Sequence, residues 1–222
     1  MGLRAVTSSD FPQSKSPARR PLLVFGAGGH ARVVADAALK TGFWARVFAS
    51  DRNPARCEGD LLPGVGLFPV GQAARDSGAC VHVAIGDNTA REREAHTWGL
   101  ARLMAVMHPS AVVSPFAVVG AGCFVAAGAV VAPQATLDVG VIINHGAVVD
   151  HDVAIGAFTH IAPGAVLGGA ACIGARVLVG AGAVVLPGVS VCSGAVIGAG
   201  AVVLAPVTDP GTYVGVPARR ID

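Results

Sequence analysis

The stretch IINHGAVVDHDVAIGAFTHIAPGAVLGGAACIG, residues 142–174, carries an isoleucine, leucine or valine at every sixth position. The same spacing continues in both directions, so that sixteen aliphatic residues recur without interruption from Val113 to Val203. A helical period of 3.6 residues falls out of step with this spacing within two or three repeats, and an ordinary strand does not continue for about ninety residues. The repeat therefore predicts a solenoid.

Small side chains and glycines follow these sixteen ladder residues at fixed offsets. The residue four places after a ladder residue is small or β-branched at Cys123, Ala129, Ala135, Ala147, Val153, Thr159, Ala165, Ala171, Ala183, Ala195 and Ala201. Glycine comes directly after the ladder residue at Gly120, Gly156, Gly174, Gly180 and Gly198. This alternation is typical of hexapeptide repeats, which form a parallel β-helix with strands stacked about 4.8 Å apart. One coil cannot bury its own apolar face, so we expect an all-β stack.

The composition is that of a folded protein with an extended core. Of the 222 residues, 53% are hydrophobic and 14% are charged, which excludes a disordered chain and allows two modest domains. The net charge is +2, and beyond Arg19 and Arg20 there is no basic block that would indicate a nucleic acid or a membrane surface as partner. Five cysteines form no C-x-x-C pair, as in reduced proteins of the cytosol.

The beginning of the chain shows no targeting signal. Residues 1–20 contain serine, proline, lysine and arginine without an apolar core, which does not fit a signal peptide. No stretch of about eighteen uninterrupted apolar residues follows, so we expect no membrane span. We therefore predict a cytoplasmic protein whose residues 1–20 are a disordered leader or result from an early start codon.

An α/β domain is predicted for residues 21–106, ahead of the solenoid at residues 107–222. An apolar strand at residues 22–25 runs into GAGGHA, residues 26–31, and then into a helical pattern. This spacing fits the G-x-G-x-x-A form of a nucleotide-binding turn, in which bare backbone lets a phosphate approach the N–H groups at a helix start. The alternative is a tight turn that needs glycine for steric reasons alone.

Two further strands are predicted to end at the same edge of the sheet. Residues 46–49 are followed by Ser50 and Asp51, and residues 81–85 are followed by Gly86 and a helix that ends at about residue 99. Ligands of parallel sheets bind at this carboxyl edge. A complete dinucleotide fold has two such halves in about 150 residues, and this domain is little more than half as long. We expect a half-Rossmann domain for a nucleotide-linked substrate rather than a nicotinamide or flavin cofactor.

Three of the histidines in the solenoid lie within one stretch and are candidate metal ligands. His145, His151 and His160 are six and nine residues apart. Because six residues make one side of the prism, His145 and His151 are expected on different edges, and we predict no zinc site. His151 lies between Asp150 and Asp152, and a neighbouring carboxylate favours a basic imidazole of fixed tautomer, as a general base needs. The alternative is a solvated histidine in a polar turn.

Five motifs, in order, resemble one family of bacterial enzymes. They are GAGGH at 26–30, AIGDN at 84–88, HPSA at 108–111, NHGAVVDHDVAIGAFTH at 144–160 and YVGVPAR at 213–219. Together they resemble the hexapeptide-repeat sugar acetyltransferases, which include N-acetyltransferases of nucleotide-linked 4-amino sugars in bacillosamine and perosamine pathways and sialic acid O-acetyltransferases. The resemblance covers residues 21–222. It implies a left-handed parallel β-helix, acetyl-CoA as co-substrate and no metal.

The resemblance also implies roles for individual residues. His151 would take a proton from the sugar amine, and Asp152, where members often carry glutamate, would raise the basicity of the imidazole. An amide N–H near Gly169 would stabilise the oxyanion. The residues implied in binding acetyl-CoA are His160, Gly169, Ala181 and Ala199. The residues implied in binding the nucleotide-linked sugar are Gly28, Gly29, His30, Ser50, Asp51, Gly86 and Asn144.

The resulting hypothesis is an acetyl-CoA-dependent N-acetyltransferase that acts on the amine of a nucleotide-diphosphate-linked amino-deoxy sugar. No serine or cysteine is paired with a histidine in a nucleophile motif, which favours direct attack of the amine on the thioester. One alternative is O-acetylation of sialic acid or another sugar hydroxyl. The other is a non-catalytic, nucleotide-binding trimeric scaffold.

Outward valines predict a homotrimer. Val130, Val148, Val166 and Val184 recur every eighteen residues, which is one coil per step. They would form a continuous apolar strip, and such a strip on a soluble protein marks an interface. We expect three β-helices packed side by side, with the active sites in the clefts between them.

Overall fold

The computed structural model describes residues 20–76 and 78–222. The predicted leader, apart from Arg20, lies outside the described residues. The N-terminal domain consists of β1 (Leu22–Phe25), α1 (Gly29–Thr41), β2 (Val47–Ser50), β3 (Asp60–Leu62), β4 (Val65–Gly66), α2 (Val70–Ala73), β5 (Cys80–Val83) and α3 (Asn88–Trp98). Its parallel sheet has the order β2-β1-β5, while β3 and β4 form an antiparallel hairpin.

The central strand of this sheet is apolar along its whole length because both of its faces are covered. Leu22 and Val24 belong to the same buried cluster as residues of α1. Leu23 and Phe25 belong to a cluster with α3, where the rings of Phe25 and Trp98 meet edge to face at 5.2 Å. Strands buried on both sides show this continuous pattern rather than alternation. The α/β prediction is confirmed, with three parallel strands where three were expected.

The solenoid strands begin every six residues. They are β6 (Val106–Met107), β7 (Val112–Val113), β8 (Val118–Val119), β9 (Phe124–Val125), β10 (Val130–Val131), β11 (Thr136–Leu137), β12 (Ile142–Ile143), β13 (Val148–Val149), β14 (Ala154–Ile155), β15 (His160–Ile161), β16 (Val166–Leu167), β17 (Cys172–Ile173), β18 (Leu178–Val179), β19 (Val184–Val185), β20 (Ser190–Val191), β21 (Val196–Ile197) and β22 (Val202–Val203). The first of them, β6, begins at Val106, one residue before the predicted start of this domain.

Three parallel sheets form the sides of the prism. The docked face contains β6, β9, β12, β15, β18 and β21; the valine face contains β7, β10, β13, β16, β19 and β22; the groove face contains β8, β11, β14, β17 and β20. The second residue of each strand is the ladder residue, and those from Val119 to Val203 are buried in one continuous core with the small residues predicted beside them. The predicted solenoid is confirmed.

The end of the chain closes the last coil. Strand β23 (Thr212–Val214) pairs with β21, and β24 (Arg219–Arg220) turns back antiparallel along β23. The exposed outer strand of this end carries two arginines.

The N-terminal domain packs against the docked face. Phe124 and Ile142 point outward from this face, and both are buried in the cluster that contains β1 and α1. Phe158, in a turn of the solenoid, is buried in the cluster that contains Trp98 of α3. The ring of Phe158 also lies where a Cβ on Gly140, whose φ is +66°, would stand only 2.5 Å away. The two domains therefore share their apolar cores.

A ladder substitution tests the stack. Leu137 is 2% exposed in β11, and truncating a buried leucine to alanine costs about 2 to 5 kcal/mol because a cavity remains. We expect Leu137→Ala to lower the free energy of unfolding by this amount in chemical denaturation. Thr136→Ala changes the exposed residue of the same strand and should leave stability within about 0.5 kcal/mol. Equal losses in both variants would contradict the inward placement of Leu137.

Candidate active site

His151 lies in the turn after β13, at the corner between the valine face and the groove face. Its Nδ1–H donates to Oδ2 of Asp152 at 2.8 Å, while its backbone N–H donates to Oδ1 of Asp150 at 2.7 Å. Asp152 has a φ of +60°, a left-handed conformation that aspartate tolerates better than most residues. With Nδ1 facing a carboxylate, the second ring nitrogen, Nε2, is the atom available to accept a proton.

The two carboxylates make His151 more basic than an isolated histidine. The hydrogen bond with Asp152 is the main reason that the pKa of His151 is raised, and the charge of Asp150 adds to it. The His151 side chain is 61% exposed, so a substrate can reach it. This exposed, oriented imidazole can act as a general base.

Gly169 lies directly beside the base, one coil further along. A Cβ placed on Gly169 would stand 2.6 Å from Nε2 of His151, so only glycine leaves room for the ring in this position. The backbone N–H of Ala170 donates to the carbonyl oxygen of His151 at 2.9 Å and ties the two turns together. The structure thus brings together His151, Asp152 and Gly169, three of the residues predicted for the reaction.

A second group of predicted residues lies between the N-terminal domain and the docked face. Asn144 donates from Nδ2 to Nε2 of His160 at 3.1 Å, and the backbone of Gly86 contacts the same histidine. The ring of His30 lies 6.4 Å from the ring of His160 and packs edge to face on Phe124. Four residues predicted to bind substrates therefore meet at this domain interface.

Burial keeps the histidines of this second group neutral. Desolvation is the largest cause that lowers the pKa of His30 to about 3 and that of His160 to about 4. The positive charge of Arg91 lowers both values further. At neutral pH each ring therefore offers one donor and one acceptor nitrogen, unlike the more basic His151.

The glycine turn contains one sterically required glycine, and it is Gly26. A Cβ there would stand 2.7 Å from the carbonyl oxygen of Ala84, and its φ is +132°. At Gly28, which precedes the first turn of α1 with a φ of −90°, and at Gly29, an added Cβ would meet no atom within 4 Å. Space for a ligand remains open at these two glycines.

A cavity of about 490 Å³ opens beside Gly28. Its polar lining includes Arg32, Arg56, Glu58 and Asp60, none of which was predicted from the sequence. Two arginines beside an open helix N-terminus are suited to phosphate groups. In the sequence, the only indication that Arg32 and Arg56 belong to a site is that they follow closely after the first and second strands.

Asp51 and Ser50, predicted for the same pocket, have different surroundings. Asp51 accepts hydrogen bonds from the backbone N–H groups of Ala27 at 2.9 Å and Asn53 at 2.8 Å, so its carboxylate fixes the glycine turn. Ser50 is fully buried, and its hydroxyl has no partner among the described residues. Its side chain does not reach the surface of the cavity because β2 continues through Ser50, which pairs with Phe25.

The remaining predicted residues, Ala181 and Ala199, lie in turns between the docked face and the valine face, at the same corner as Asn144. His151 and Gly169 lie in the turns at the opposite edge of the valine face. Within one chain, the valine face therefore separates the candidate base from most residues predicted to bind the sugar and acetyl-CoA.

A cavity of about 850 Å³ does not coincide with either group. It runs along the groove face past Thr136, Ala154, Cys172 and Ser190, and no predicted site residue lines it. In residues 20–76 and 78–222 no cluster of three or more histidine, cysteine, aspartate or glutamate side chains could hold a metal ion. The helices in these ranges are all too short or too polar to cross a membrane.

Comparisons with known proteins agree with this architecture. The sequence profile of the PglD N-terminal domain matches residues 21–97, and that of the bacterial transferase hexapeptide (six repeats) matches residues 173–205. No curated protein sequence matches significantly. The fold and these profile matches define a hexapeptide-repeat transferase with an α/β domain ahead of the repeats.

Similar solved structures show to which family within this class the chain belongs. The chain is 35% identical to the acetyltransferase domain of PglB from Neisseria gonorrhoeae FA1090 in complex with acetyl coenzyme A, with a TM-score of 0.86 over 92% of this chain and 100% of that chain. It is 34% identical to a histidine-to-alanine mutant of GDP-perosamine N-acetyl transferase from Caulobacter crescentus in complex with CoA and GDP-perosamine, with a TM-score of 0.84 over 94% of this chain and 100% of that chain. The chain belongs to the family of hexapeptide-repeat sugar acetyltransferases that contains these proteins.

Removing the carboxylate beside His151 should change its basicity. Because the hydrogen bond with Asp152 raises the pKa of His151, we expect Asp152→Asn to lower that pKa. The midpoint can be followed by NMR through the His151 ring protons. Asp150→Asn removes only the second contribution and should lower the pKa by less. A titration of His151 that is identical in wild type and Asp152→Asn would contradict the proposed pairing.

Proposed function

We propose that this protein transfers an acetyl group from acetyl-CoA to the amine of a nucleotide-diphosphate-linked amino-deoxy sugar, with His151 as general base. The observation that carries this proposal is the Nδ1 contact of His151 with Asp152, which leaves Nε2 free beside Gly169. Support comes from the two similar structures, one in complex with acetyl coenzyme A and the other with CoA and GDP-perosamine. The second of these carries a histidine substitution.

The proposed reaction has two steps. Nε2 of His151 takes a proton as the sugar amine attacks the thioester carbonyl, so that an N–C bond forms and the carbonyl oxygen becomes an oxyanion. A backbone N–H near Gly169 stabilises that oxyanion. The C–S bond then breaks, and the protonated His151 returns its proton to the departing thiolate of coenzyme A. Asp152 holds the ring in the required tautomer throughout.

The N-terminal domain would bind the nucleotide part of the substrate. Gly28 and Gly29 leave the helix N-terminus accessible, and Arg32 and Arg56 supply positive charge beside it. The neutral rings of His30 and His160, with the Asn144 amide, would offer hydrogen bonds to the sugar and to acetyl-CoA. A buried neutral ring discriminates well between ligands, since an unmatched polar group there is costly.

A homotrimer would bring the two groups of residues together. His151 and Asn144 lie at opposite edges of the valine face, so packing valine faces around a threefold axis would place the His151 corner of one subunit next to the Asn144 corner of its neighbour. The valine face is suited to burial because its outward residues are Val112, Val130, Val148, Val166, Val184 and Val202. A cytoplasmic location is part of the proposal, because both proposed substrates are cytoplasmic metabolites.

Replacing His151 tests the function directly. A positioned general base contributes about 10² to 10⁴ in rate, so His151→Ala should lower kcat by that factor while acetyl-CoA binding stays nearly unchanged. Release of free thiol from acetyl-CoA measures turnover with a panel of UDP-, dTDP- and GDP-linked amino sugars and with sialic acid as a hydroxyl acceptor. His96→Ala, at an exposed histidine of α3, is the matched control and should retain full activity.

Each other result of this assay favours a different hypothesis. A loss below about fivefold would remove His151 from the role of essential base. Faster turnover with hydroxyl acceptors would favour O-acetylation. No turnover by the wild type with any acceptor would favour a nucleotide-binding scaffold.

A charge on the valine face tests the trimer. Val166 is half-buried in a single chain, and Val166→Asp would place a carboxylate in the proposed interface, where desolvation costs several kcal/mol. We expect light scattering to show dissociated subunits that keep their β-structure and have lost activity. Thr136→Asp makes the same change at the exposed position of β11 on the groove face and should stay trimeric and active. A fully active monomer, or an unchanged trimer, would contradict this assembly.

A further inference from the structure

Arg91 of α3 is buried at the junction of the two domains, with 1% of its surface exposed. All five of its N–H donors can be assigned to acceptors. Nε donates to the carbonyl oxygen of Gly140 at 2.8 Å, Nη1 to those of Ile85 at 2.9 Å and Gly86 at 3.0 Å, and Nη2 to that of Phe158 at 2.7 Å and to Oδ1 of Asn88 at 2.8 Å. One planar group thus binds backbone from both domains.

The charge of this guanidinium has no carboxylate partner. In the part of the chain that the structure describes, no ion pair includes Arg91. Burial lowers its pKa to about 10, so it remains charged at neutral pH. A buried charge is costly, and an apolar side chain of similar size often stabilises a fold as well or better. Packing alone therefore does not account for an arginine here.

The acceptors of Arg91 lie next to the second group of site residues. Nη1 binds the loop after β5, residues 84–87, whose Gly86 contacts His160. Nη2 binds the carbonyl oxygen of Phe158, two residues before His160. Asn88 adds a further bridge by donating to the carbonyl oxygen of Val177 at 3.0 Å. The loop and the strand of His160 are thereby held at a fixed separation.

We infer that Arg91 is a positioning residue that holds the loop of residues 84–87 against the solenoid, so that Gly86 stays beside His160 and in place to bind the nucleotide-linked substrate. This inference rests on the proposed function. Arg91 itself is too deeply buried to touch a substrate. Its role requires the fork of the guanidinium, since a single ammonium group cannot reach Gly86, Phe158 and Gly140 together.

Two variants of Arg91 distinguish the effect of the guanidinium's shape from the effect of its charge. A variant of Arg102 is the control for losses of stability. Arg91→Lys keeps a positive charge but has three donors on one nitrogen, and Arg91→Met keeps the length and removes the charge. Arg102→Met is the control. Arg102 is also partly buried and donates to the carbonyl oxygens of Asp76 and Ala79 at 3.2 Å, but these bonds stay within the N-terminal domain.

Three measurements are made on the full-length protein. GDP, UDP and dTDP are each titrated calorimetrically without acetyl-CoA, the His160 ring protons are titrated by NMR, and Tm is recorded.

We expect both Arg91 variants to bind the preferred nucleotide at least about tenfold more weakly, as for the loss of one or two hydrogen bonds. The His160 resonance should shift in both. Arg91→Met should also raise the pKa of His160, because a nearby positive charge is removed. Arg102→Met should lower Tm without these changes.

Several results would overturn the inference. If Arg91→Lys binds as tightly as the wild type, charge is sufficient and the fork is not needed. If Arg91→Met and Arg102→Met weaken binding in proportion to their losses in Tm, the role is only structural. An unchanged His160 resonance in Arg91→Lys would exclude positioning even if Arg91→Met does not fold. Failure of the wild type to bind any of the three nucleotides would contradict the proposed function, while the His160 titration would still decide the role of Arg91.

Discussion

The solenoid depends on one backbone hydrogen bond repeated from coil to coil, in which an N–H donates to the carbonyl oxygen seventeen residues later. It joins Val130 to Ala147, Ala132 to Val149 and Val148 to Ala165, at 2.9 Å each. Since each strand has only two residues, no single sheet contact is strong, and the stack requires that every coil keep eighteen residues. The same register places Gly169 beside His151. A residue inserted between them would move the base away from the glycine that leaves room for its ring.

The histidines of the two groups have pKa values shifted in opposite directions because their surroundings differ. His151 is exposed between carboxylates, and its pKa is raised. His30 and His160 are enclosed at the domain interface, where burial lowers their pKa values. Groups whose pKa values are pushed apart in this way are suited to different roles in one reaction. The fold achieves this separation through position, because a corner of the prism faces solvent while its docked face is covered.

The sequence was sufficient to predict the solenoid, because it follows from a repeated spacing, and the contact of His151 with Asp152, because the two residues are adjacent in the chain. It was insufficient for residues whose surroundings depend on tertiary packing. Arg91 lies in the polar segment NTAREREAHTW, which looks like a solvated helix until α3 packs against the solenoid. Ser50 was expected just beyond the end of β2, but the strand runs from Val47 to Ser50 and buries it. A shift of one residue in a strand end was enough to remove a side chain from the pocket.

The closing strands β23 and β24 have a consequence for how these molecules behave in a crowded solution. A stack of parallel coils ends in unpaired strand edges, and such edges can template the addition of another molecule. Here β23 occupies the edge of the docked face, and β24, turned antiparallel, presents Arg219 and Arg220 outward. Arg220 is paired with Asp222 at 3.2 Å, and charged side chains on an outermost strand disfavour the addition of an identical neighbour. The hairpin thus protects the edge of the docked face, so that a fold built by repetition does not extend from this face into a second molecule.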